Sequence, residues 1–204
     1  MIQFILRKFN IFDIVNNIET GAFVNKEQLC ASIDSPNKEH MNRYEPADVK
    51  QLKKMFEKLI GIDSTVLHNG FIDYGCGKGR VLIMAERMRF RSVIGVEFSK
   101  HLCTICEDNL RKAKTSMVKV FCQDAVNYEL TGDIKTFYFF NPFNSYVLDK
   151  VLAKIKLFIK TKSYDGYIVY VYPNKFGRLN PSEYELLFLD DGPINPFHIY
   201  KVKA

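Results

Sequence analysis

Short runs of apolar residues alternate along most of the chain with segments in which apolar residues recur every three or four positions. The apolar runs predict strands at 70–75, 92–97, 118–125, 135–143 and 164–173. The segments with helical spacing predict helices at 80–89, 100–113 and 146–160. Strands that are apolar along their whole length and alternate with helices are typical of a parallel sheet covered on both faces. The pattern therefore predicts an α/β, doubly wound fold with a mostly parallel sheet.

The last part of the chain departs from this alternation. Two strand-like segments, 183–191 and 197–203, are separated by a turn rich in proline and glycine. Such a pair predicts an antiparallel β-hairpin at the end of the sheet. Together with the five earlier strands, the hairpin gives a seven-stranded sheet.

The first part of the chain differs from the rest. It has helical hints at 2–17 and a polar run at 32–43. A helix is predicted over about 46–60, because Pro46 suits the first helical position and Gly61 is placed to end the helix.

Length and composition place this pattern in an ordinary globular protein. The chain has 204 residues, of which 47% are hydrophobic and 25% charged, which excludes a largely disordered or fibrous protein. We divide it into an N-terminal helical arm or lid, residues 1–43, and one domain, residues 44–204. The net charge of +6 is spread along the sequence, so it does not by itself favour a nucleic-acid partner.

Cysteine usage indicates a reducing compartment. Five cysteines are an odd number, which argues against a complete disulfide framework. Cys76 lies in a glycine-rich run, and four others lie on predicted apolar faces: Cys30, Cys103, Cys106 and Cys122. The apolar start of the chain is interrupted by Arg7 and Lys8 and is too short for a membrane span, so we expect a cytoplasmic protein.

No metal site is predicted. Cys103 and Cys106 form a single C-x-x-C pair without a second one, and both fit the inner face of a helix. The four histidines are scattered, with no obvious partner for a catalytic dyad: His40, His68, His101 and His198.

The turn after the first strand, residues 73–80, carries the most informative motif, DYGCGKGR. Glycines at alternate positions let the backbone turn sharply and approach a ligand, with amides exposed at the start of the next helix. A dinucleotide fingerprint is disfavoured because Arg80 stands where its third glycine belongs, and a P-loop because Cys76 stands where its lysine belongs. A tight turn that binds no ligand remains the alternative.

The D-x-G-x-G-x-G turn resembles motif I of the class I S-adenosylmethionine (SAM)-dependent methyltransferases, and the ends of other predicted strands resemble that family too. Glu97 stands where the family has an acid that accepts hydrogen bonds from the ribose hydroxyls, and Phe98 where an apolar side chain packs on the adenine. Asp124, between Gln123 and Ala125, stands where an acid meets the adenine amino group. The resemblance extends over essentially the whole chain to a bacterial branch of the superfamily. It implies a Rossmann-like fold and SAM as cofactor, with S-adenosylhomocysteine as product and no metal.

SAM carries a cationic sulfonium and a zwitterionic amino-acid tail, so its pocket needs groups of both signs. Asp73 is expected to hold the ammonium group, and the amides of the turn to face the carboxylate. Tyr44 lies in a segment that closes over the methionine end in related enzymes, with packing beneath the arm as the alternative. Lys78 and Arg80 either contact the carboxylate or are solvated or paired with nearby acids. The predicted cofactor-binding residues are Tyr44, Asp73, Gly75, Cys76, Gly77, Gly79, Glu97, Phe98, Asp124, Ala125 and Asn141.

The residues after the fourth strand, Asn141-Pro142-Phe143, are predicted to be catalytic. They resemble the Asn/Asp-Pro-Pro-Tyr/Phe motif of amino-methyltransferases, in which the amide oxygen and the prolyl carbonyl accept the hydrogens of an amine, although one proline is missing here. The alternative is a plain strand-to-helix turn with Asn144 as the helix cap. Residues 172–174, after the fifth strand, are a weaker candidate for the same cleft.

The sequence predicts a SAM-dependent methyltransferase that acts by in-line displacement on a nitrogen acceptor, a protein lysine or a small amine. Its partner would be that unidentified acceptor, a small molecule or a protein. One alternative is an O-methyltransferase of a glycan or a small hydroxylated metabolite, which would need a base that the sequence does not supply. An alternative of another class is a non-catalytic SAM-binding or nucleic-acid-binding module.

Overall fold

In the computed structural model, which describes residues 11–30, 37–172 and 178–203, seven strands form one sheet. The strands are β1 (Gly70–Tyr74), β2 (Ser92–Glu97), β3 (Val118–Cys122), β4 (Ile134–Phe140), β5 (Tyr167–Val171), β6 (Tyr184–Asp190) and β7 (Phe197–Val202). Their order across the sheet is β3-β2-β1-β4-β5-β7-β6. The first five pair in parallel, whereas β7 pairs antiparallel with both β5 and β6. The predicted seven-stranded, mostly parallel sheet with a terminal hairpin is confirmed.

Helices cover the sheet and form the arm. Within the described ranges they are α1 (Ile11–Asn16), α2 (Lys26–Cys30), α3 (Val49–Ile62), α4 (Arg80–Arg87), α5 (Lys100–Lys112) and α6 (Ser145–Lys160). Short 3₁₀ turns lie at Lys38–His40 and Ser64–His68. Helices α4, α5 and α6 agree closely with the predicted helices.

The core consists of two apolar layers, one on each face of the sheet. Helices α3, α4 and α5 pack on one face, where Phe56, Leu82 and Cys106 are fully buried. Helix α6 packs on the other face through residues such as Val151 and Ile155. Because both faces are covered, the central strands are apolar throughout, as the sequence pattern indicated.

The start of α3 differs from the prediction. The helix begins at Val49, three residues after Pro46. Asp48 is its N-cap, and the carboxylate of Asp48 accepts a hydrogen bond from the backbone amide of Gln51 at 3.0 Å. A side-chain acceptor at this position satisfies an amide that the helix leaves free, so the cap rather than the proline sets the start.

The end of α3 differs as well. Gly61 was expected to end the helix but lies inside it, and the helix continues to Ile62. The backbone amide of Asp63 still donates to the carbonyl of Leu59 at 3.0 Å, which completes the last turn. One glycine lowers helix propensity by only about 1 kcal/mol, and tertiary packing of the apolar face outweighs that cost.

The predicted apolar positions of Cys103 and Cys106 are confirmed, since both side chains are buried, and Cys76 is buried as well. Cys122 is exposed, contrary to the prediction. It ends β3, which is an edge strand of the sheet.

Some predictions fall partly outside the described residues. Nothing is described at 1–10, 31–36, 173–177 or 204, and the side chains of Gln28 and Cys30 are not described. The division of the chain after residue 43 stays a prediction. None of the helices in the described ranges is long and apolar enough to cross a membrane.

Candidate functional site

A cavity opens at the edge of the sheet where β1, β2, β3 and β4 end, as expected for an open parallel sheet. Residues 37–47, which we call the strap, cross its opening and contribute to its wall. With the strap in place the cavity measures about 90 Å³, less than the roughly 300–1,000 Å³ of most ligand pockets. In this conformation the cavity is therefore smaller than a ligand of cofactor size.

Asp73, near the end of β1, is a buried carboxylate without a full set of partners. Its Oδ1 atom has no hydrogen-bond partner among the described residues, and the side chain lines the cavity. Burial, together with the nearby Glu97 carboxylate, raises the pKa of Asp73 well above its ordinary value. A buried, unpaired carboxylate is unfavourable unless a cation joins it. The group therefore fits the ammonium group that the sequence led us to expect.

Glu97, at the end of β2, is held in place by backbone amides. Its Oε1 accepts hydrogen bonds from the amides of Phe98 and Ser99, and its Oε2 accepts one from the amide of Gly77, all at 2.9 Å. Burial raises the pKa of Glu97, and the three hydrogen bonds oppose that rise. Because each carboxylate oxygen accepts two hydrogen bonds, Oε2 has capacity for a further donor from the cavity. A ribose hydroxyl is a donor of this kind.

Four amides of the glycine turn are already hydrogen-bonded within the fold, so they do not face a ligand carboxylate. Gly75 N and Cys76 N both donate to Val96 O (2.8 and 3.2 Å), Gly77 N donates to Glu97, and Gly79 N donates to Cys76 O (3.0 Å). The turn is folded against the end of β2 and uses these donors to hold its own shape. A carboxylate in the cavity needs donors other than these four amides.

Tyr44 of the strap packs directly on the glycine turn. Gly77 has a φ of +54°, and a Cβ atom there would lie 2.3 Å from Cε2 of Tyr44, so a larger residue is excluded. The Tyr44 hydroxyl donates to the carbonyl of Thr20 in the arm at 2.8 Å. Burial raises the pKa of Tyr44 far above its ordinary value, so the hydroxyl stays protonated. The ring packs between the arm and the turn, and its cofactor contact stays a prediction.

Two cations beside the turn are engaged by groups of the protein itself. Lys78 is buried, and its Nζ lies 2.7 Å from Oε1 of Glu19. Arg80 is also buried and donates to Thr20 Oγ1 (2.7 Å), Ala47 O (2.7 Å) and Asp13 Oδ1 (3.3 Å). Both side chains pair with acids of the arm. Pairing with nearby acids was one of the predicted alternatives to a contact with the ligand carboxylate, but neither side chain is solvated.

Asp124, which follows β3, receives one donor from its own loop and one from the strap. Its Oδ1 accepts a hydrogen bond from the amide of Val126 at 2.9 Å. Its Oδ2 accepts one from Nδ2 of Asn37 at 2.6 Å. Gln123 and Ala125 line the cavity beside it. The strap thus places a nitrogen donor on the carboxylate that was predicted to meet the adenine amino group.

The turn after β4 has a rare backbone conformation and is hydrogen-bonded to the strap. Asn141 has a φ of +45°, in the left-handed region that residues other than glycine seldom adopt. Nδ2 of Asn42 donates to Asn141 O at 2.9 Å and to Asn141 Oδ1 at 3.3 Å. The backbone amide of Asn42 donates to Pro142 O at 3.0 Å. The two oxygens predicted to bind an amine therefore already accept N–H donors of the chain itself.

Further contacts hold the strap on the start of α6. Met41 forms an isolated β-bridge with Phe143. The carbonyl of His40 accepts a hydrogen bond from the amide of Asn144, and His40 Nδ1 lies 2.8 Å from Asn144 Nδ2. Asn144 is the N-cap of α6, but its side chain makes no capping bond, because it is turned to His40.

Most predicted site residues come together at this cavity. Those that line it are Tyr44, Asp73, Gly75, Cys76, Gly77, Glu97, Phe98, Asp124, Ala125, Pro142 and Phe143. Gly79, the N-cap of α4, and Asn141, whose amide contacts the strap, do not line it. The lining residues that sequence reasoning missed include three with polar side chains, Asn37, Asn42 and Tyr138. The polar run at 32–43 was the only signal for the two asparagines, and Tyr138 lies unmarked in an apolar strand.

The weaker candidate segment after β5 is described only at Tyr172. This residue also has a left-handed φ, +58°, and its ring stacks on Phe140 with 5.4 Å between the centroids. Its hydroxyl accepts a hydrogen bond from Asn195 Nδ2 at 2.9 Å, and it does not line the cavity. Pro173 and Asn174 lie outside the described residues.

One expectation about the histidines was wrong. Nε2 of His198 lies 3.1 Å from Asp191 Oδ1, and Nδ1 lies 2.9 Å from the hydroxyl of Tyr200. The β6–β7 hairpin brings these partners to His198, yet none of the three lines the cavity. In the described part of the chain, no cluster of three or more histidine, cysteine or acidic side chains is arranged to hold a metal ion.

Comparison with protein families gives one match. Residues 71–161 match the family model described as a methyltransferase domain. The matched region runs from β1 through α6 and so contains the glycine turn, Glu97, Asp124 and the turn after β4. No curated protein matches the chain.

Solved structures share the fold at low sequence identity. An RNA methyltransferase from Salinibacter ruber, in complex with S-adenosyl-L-homocysteine, has a TM-score of 0.57 and 14% identity over 74% of this chain and 92% of that one. A magnesium protoporphyrin IX methyltransferase from Synechocystis PCC 6803, with bound SAM, has a TM-score of 0.54 and 13% identity over 76% and 79%. At these identities the similarity shows the fold alone. The two are named for different substrates, so the fold does not determine the acceptor.

Proposed function

We propose that the protein is a SAM-dependent methyltransferase, because residues 71–161 match the model of a methyltransferase domain and the sheet shares its fold with solved methyltransferase structures. The observation that carries this proposal is the row of carboxylates at the ends of β1, β2 and β3. Asp73 would hold the ammonium group, Glu97 the ribose hydroxyls and Asp124 the adenine amino group. When bound, SAM supplies a methyl group activated by its sulfonium centre.

The acceptor that we propose is a nitrogen atom, of a protein lysine or a small amine. In support, Asn141 and Pro142 present oxygens that accept N–H donors from Asn42 in this structure. The same oxygens would accept the hydrogens of an acceptor amine and leave its lone pair free for the methyl group. Phe143 lines the cavity beside them. Asn42 uses one acceptor position on each of these oxygens, so the acceptor amine would either use the second position or displace Asn42.

An oxygen acceptor is less well supported. It would need a base, and no histidine is found among the described residues that line the cavity. Asp73, Glu97 and Asp124 are needed for the cofactor, and the fourth carboxylate, Glu45, pairs with Arg43 at the exposed rim. A turnover rate that rises with pH through a single protein group would favour the oxygen alternative.

The proposal is tested by following the methyl group. The protein is incubated with SAM labelled in the methyl group and a lysate separated into protein, nucleic-acid, lipid or glycan, and small-molecule fractions. Label is expected in the protein or small-molecule fraction, on nitrogen. Label on oxygen would replace the nitrogen proposal, and failure to bind SAM at millimolar concentration in calorimetry would contradict the methyltransferase proposal itself.

Asn141→Ala is expected to reduce turnover about tenfold while SAM affinity changes less than twofold. The substitution removes one acceptor for the amine, and a hydrogen bond to a charged group is worth about 1.5–3 kcal/mol. Asn141→Asp is the matched control, because it keeps an oxygen at this position and tolerates the left-handed backbone. Turnover of Asn141→Ala at the rate of the unchanged protein would make this segment a structural turn only.

Asn42→Ala is expected to lower KM for the acceptor about threefold and to leave SAM affinity unchanged. The substitution removes the side-chain donor that competes with the acceptor for the oxygens of Asn141, and a hydrogen bond of this kind contributes about 1 kcal/mol. Steady-state kinetics with the labelled acceptor fraction measures the change. A rise in KM would mean that Asn42 helps to bind the acceptor rather than competing with it.

A further inference from the structure

Two buried polar groups on β1 and β4 lie side by side without hydrogen-bond partners. Asp73 and Tyr138 are register partners in the parallel pairing of these strands, so their side chains lie on the same face of the sheet. The Tyr138 hydroxyl and Asp73 Oδ1 are fully buried and have no partner among the described residues. Both residues line the cavity. Since buried polar groups are nearly always paired, two neighbouring exceptions at one cavity indicate a ligand that pairs with both.

The chemistry of that ligand follows from the groups that are already engaged. The amides of Gly75, Cys76, Gly77 and Gly79 donate within the fold, and the Lys78 side chain pairs with Glu19. Arg80 uses three of its nitrogens for the arm and for Ala47. A zwitterionic amino acid placed at Asp73 would have its ammonium group satisfied, and its carboxylate would need a donor other than these groups. Tyr138 offers an unused O–H donor beside Asp73.

We propose that Tyr138 is a cofactor-binding residue whose hydroxyl donates a hydrogen bond to the carboxylate of the SAM amino-acid tail. The inference rests on the proposed function, because it takes SAM to be the ligand of the cavity. Asp73 and Tyr138 then act as a pair, in which Asp73 accepts from the ammonium group and Tyr138 donates to the carboxylate. A neutral donor suits this place, since a cation next to Asp73 would compete with the ammonium group.

The protonation of Tyr138 agrees with a role as donor. Burial and the neighbouring Asp73 raise the pKa of Tyr138 well above its ordinary value. The hydroxyl therefore keeps its proton over the whole range in which the protein is handled. No charge is created or lost at Tyr138 when the ligand binds.

A water molecule and Arg80 are the two alternatives to this role of Tyr138. Tyr138 also borders a second cavity of about 10 Å³, beneath Ala47 and Leu52, which is at the lower limit for one water molecule. A water there would satisfy the hydroxyl and leave it no role in binding. Alternatively, the remaining N–H groups of Arg80 would bind the tail carboxylate. In either case, removing the Tyr138 hydroxyl would leave cofactor affinity unchanged.

The test uses Tyr138→Phe in the full chain, with Tyr170→Phe as the matched control. Tyr170, on β5, is also buried with an unpartnered hydroxyl, but it belongs to the apolar layer on the other face of the sheet and does not line the cavity. Neither substitution removes a hydrogen bond to any described residue, so both variants are expected to fold and to unfold at temperatures no lower than the unchanged protein. Calorimetry then measures two ligands, S-adenosylhomocysteine and 5′-methylthioadenosine, of which the second lacks the amino-acid tail.

Tyr138→Phe is expected to weaken S-adenosylhomocysteine binding about tenfold and to leave 5′-methylthioadenosine binding within twofold, while Tyr170→Phe changes neither. An S-adenosylhomocysteine affinity within twofold of the unchanged protein would overturn the assignment of Tyr138. Equal losses for both ligands would also overturn it, because the tail would not be involved. If the unchanged protein binds neither ligand, the proposed function itself fails, and the assignment fails with it.

Discussion

Glu97→Ala is expected to weaken SAM binding by about 100-fold or more and to destabilise the protein by about 1–3 kcal/mol. The loss of affinity follows because two hydroxyl donors of a ribose lose a charged acceptor, at about 1.5–3 kcal/mol for each hydrogen bond. The loss of stability follows because Glu97 also accepts from the amides of Gly77, Phe98 and Ser99. With the carboxylate removed, these amides have no acceptor in the fold. Calorimetry with SAM and thermal unfolding without it measure the two effects.

The matched control is Glu45→Ala, which removes a carboxylate from the rim of the same cavity. Glu45 lines the cavity and, within the described ranges, forms an ion pair with the exposed Arg43, a contact that contributes little to stability. Its substitution is expected to leave both SAM affinity and thermal unfolding nearly unchanged. If Glu97→Ala behaved like Glu45→Ala, the assignment of the cavity as a SAM site would be wrong.

The meeting of the carboxylates at one edge of the sheet could be predicted from the sequence, because it depends only on where each strand ends. Asp73 and Glu97 each come at the end of a buried strand, and the carboxyl ends of neighbouring parallel strands share one edge of the sheet. Knowing the strands was therefore enough to bring these carboxylates together. What the sequence could not show is that the glycine turn uses its own amides, since that depends on how the turn meets Val96.

The contacts of the strap with the cavity could not be predicted from the sequence, because they are polar and join residues far apart in the chain. Asn42 meets Asn141 across 99 positions of the chain, and Asn37 meets Asp124 across 87. Neither asparagine belongs to a periodic pattern, and a polar residue in a loop is ordinarily solvated. Its role becomes visible only when the partner is known.

Tyr138 was missed for a different reason. It lies between Phe137 and Phe139 in a run of aromatic residues, where burial is expected and a hydroxyl adds no signal to the apolar pattern. The register of β1 against β4 decides that Tyr138, and not its neighbours, lies beside Asp73. Register is a property of the assembled sheet and is not encoded in the strand alone.

Asp73→Asn is expected to have opposite effects on stability and on binding. At pH 8 the free protein should gain about 1–3 kcal/mol of unfolding free energy, because a buried carboxylate without a full set of partners is replaced by a neutral amide of the same shape. SAM affinity should fall about 10- to 100-fold, because the ammonium group loses its charged partner. Thermal unfolding with and without S-adenosylhomocysteine measures both changes. A variant less stable than the unchanged protein would mean that Asp73 has a stabilising partner in the fold.

The stability difference between Asp73→Asn and the unchanged protein should depend on pH, in a direction that follows from the pKa of Asp73. Burial, with the Glu97 carboxylate, raises the pKa of Asp73 in the folded protein above its value in the unfolded chain. The folded state therefore binds this proton more tightly than the unfolded chain does. The stability that the protonated Asp73 contributes is present at low pH and is lost as the pH rises through the raised pKa. The gain in unfolding free energy from Asp73→Asn should be small at pH 4 and increase toward pH 8. The affinity of the unchanged protein for S-adenosylhomocysteine should increase over the same pH range.

Asp63 provides a control of opposite sign. Burial alone would raise its pKa, but hydrogen bonds from Lys135, Thr65 and Tyr167 outweigh burial and lower it. Asp63→Asn should therefore destabilise the protein at neutral pH, with a cost that declines as the pH falls through the range in which carboxylates take up protons. S-adenosylhomocysteine affinity should stay unchanged, since Asp63 does not line the cavity. Two buried or partly buried aspartates with opposite pH dependence would identify Asp73 as the one that the fold holds ready for a cation.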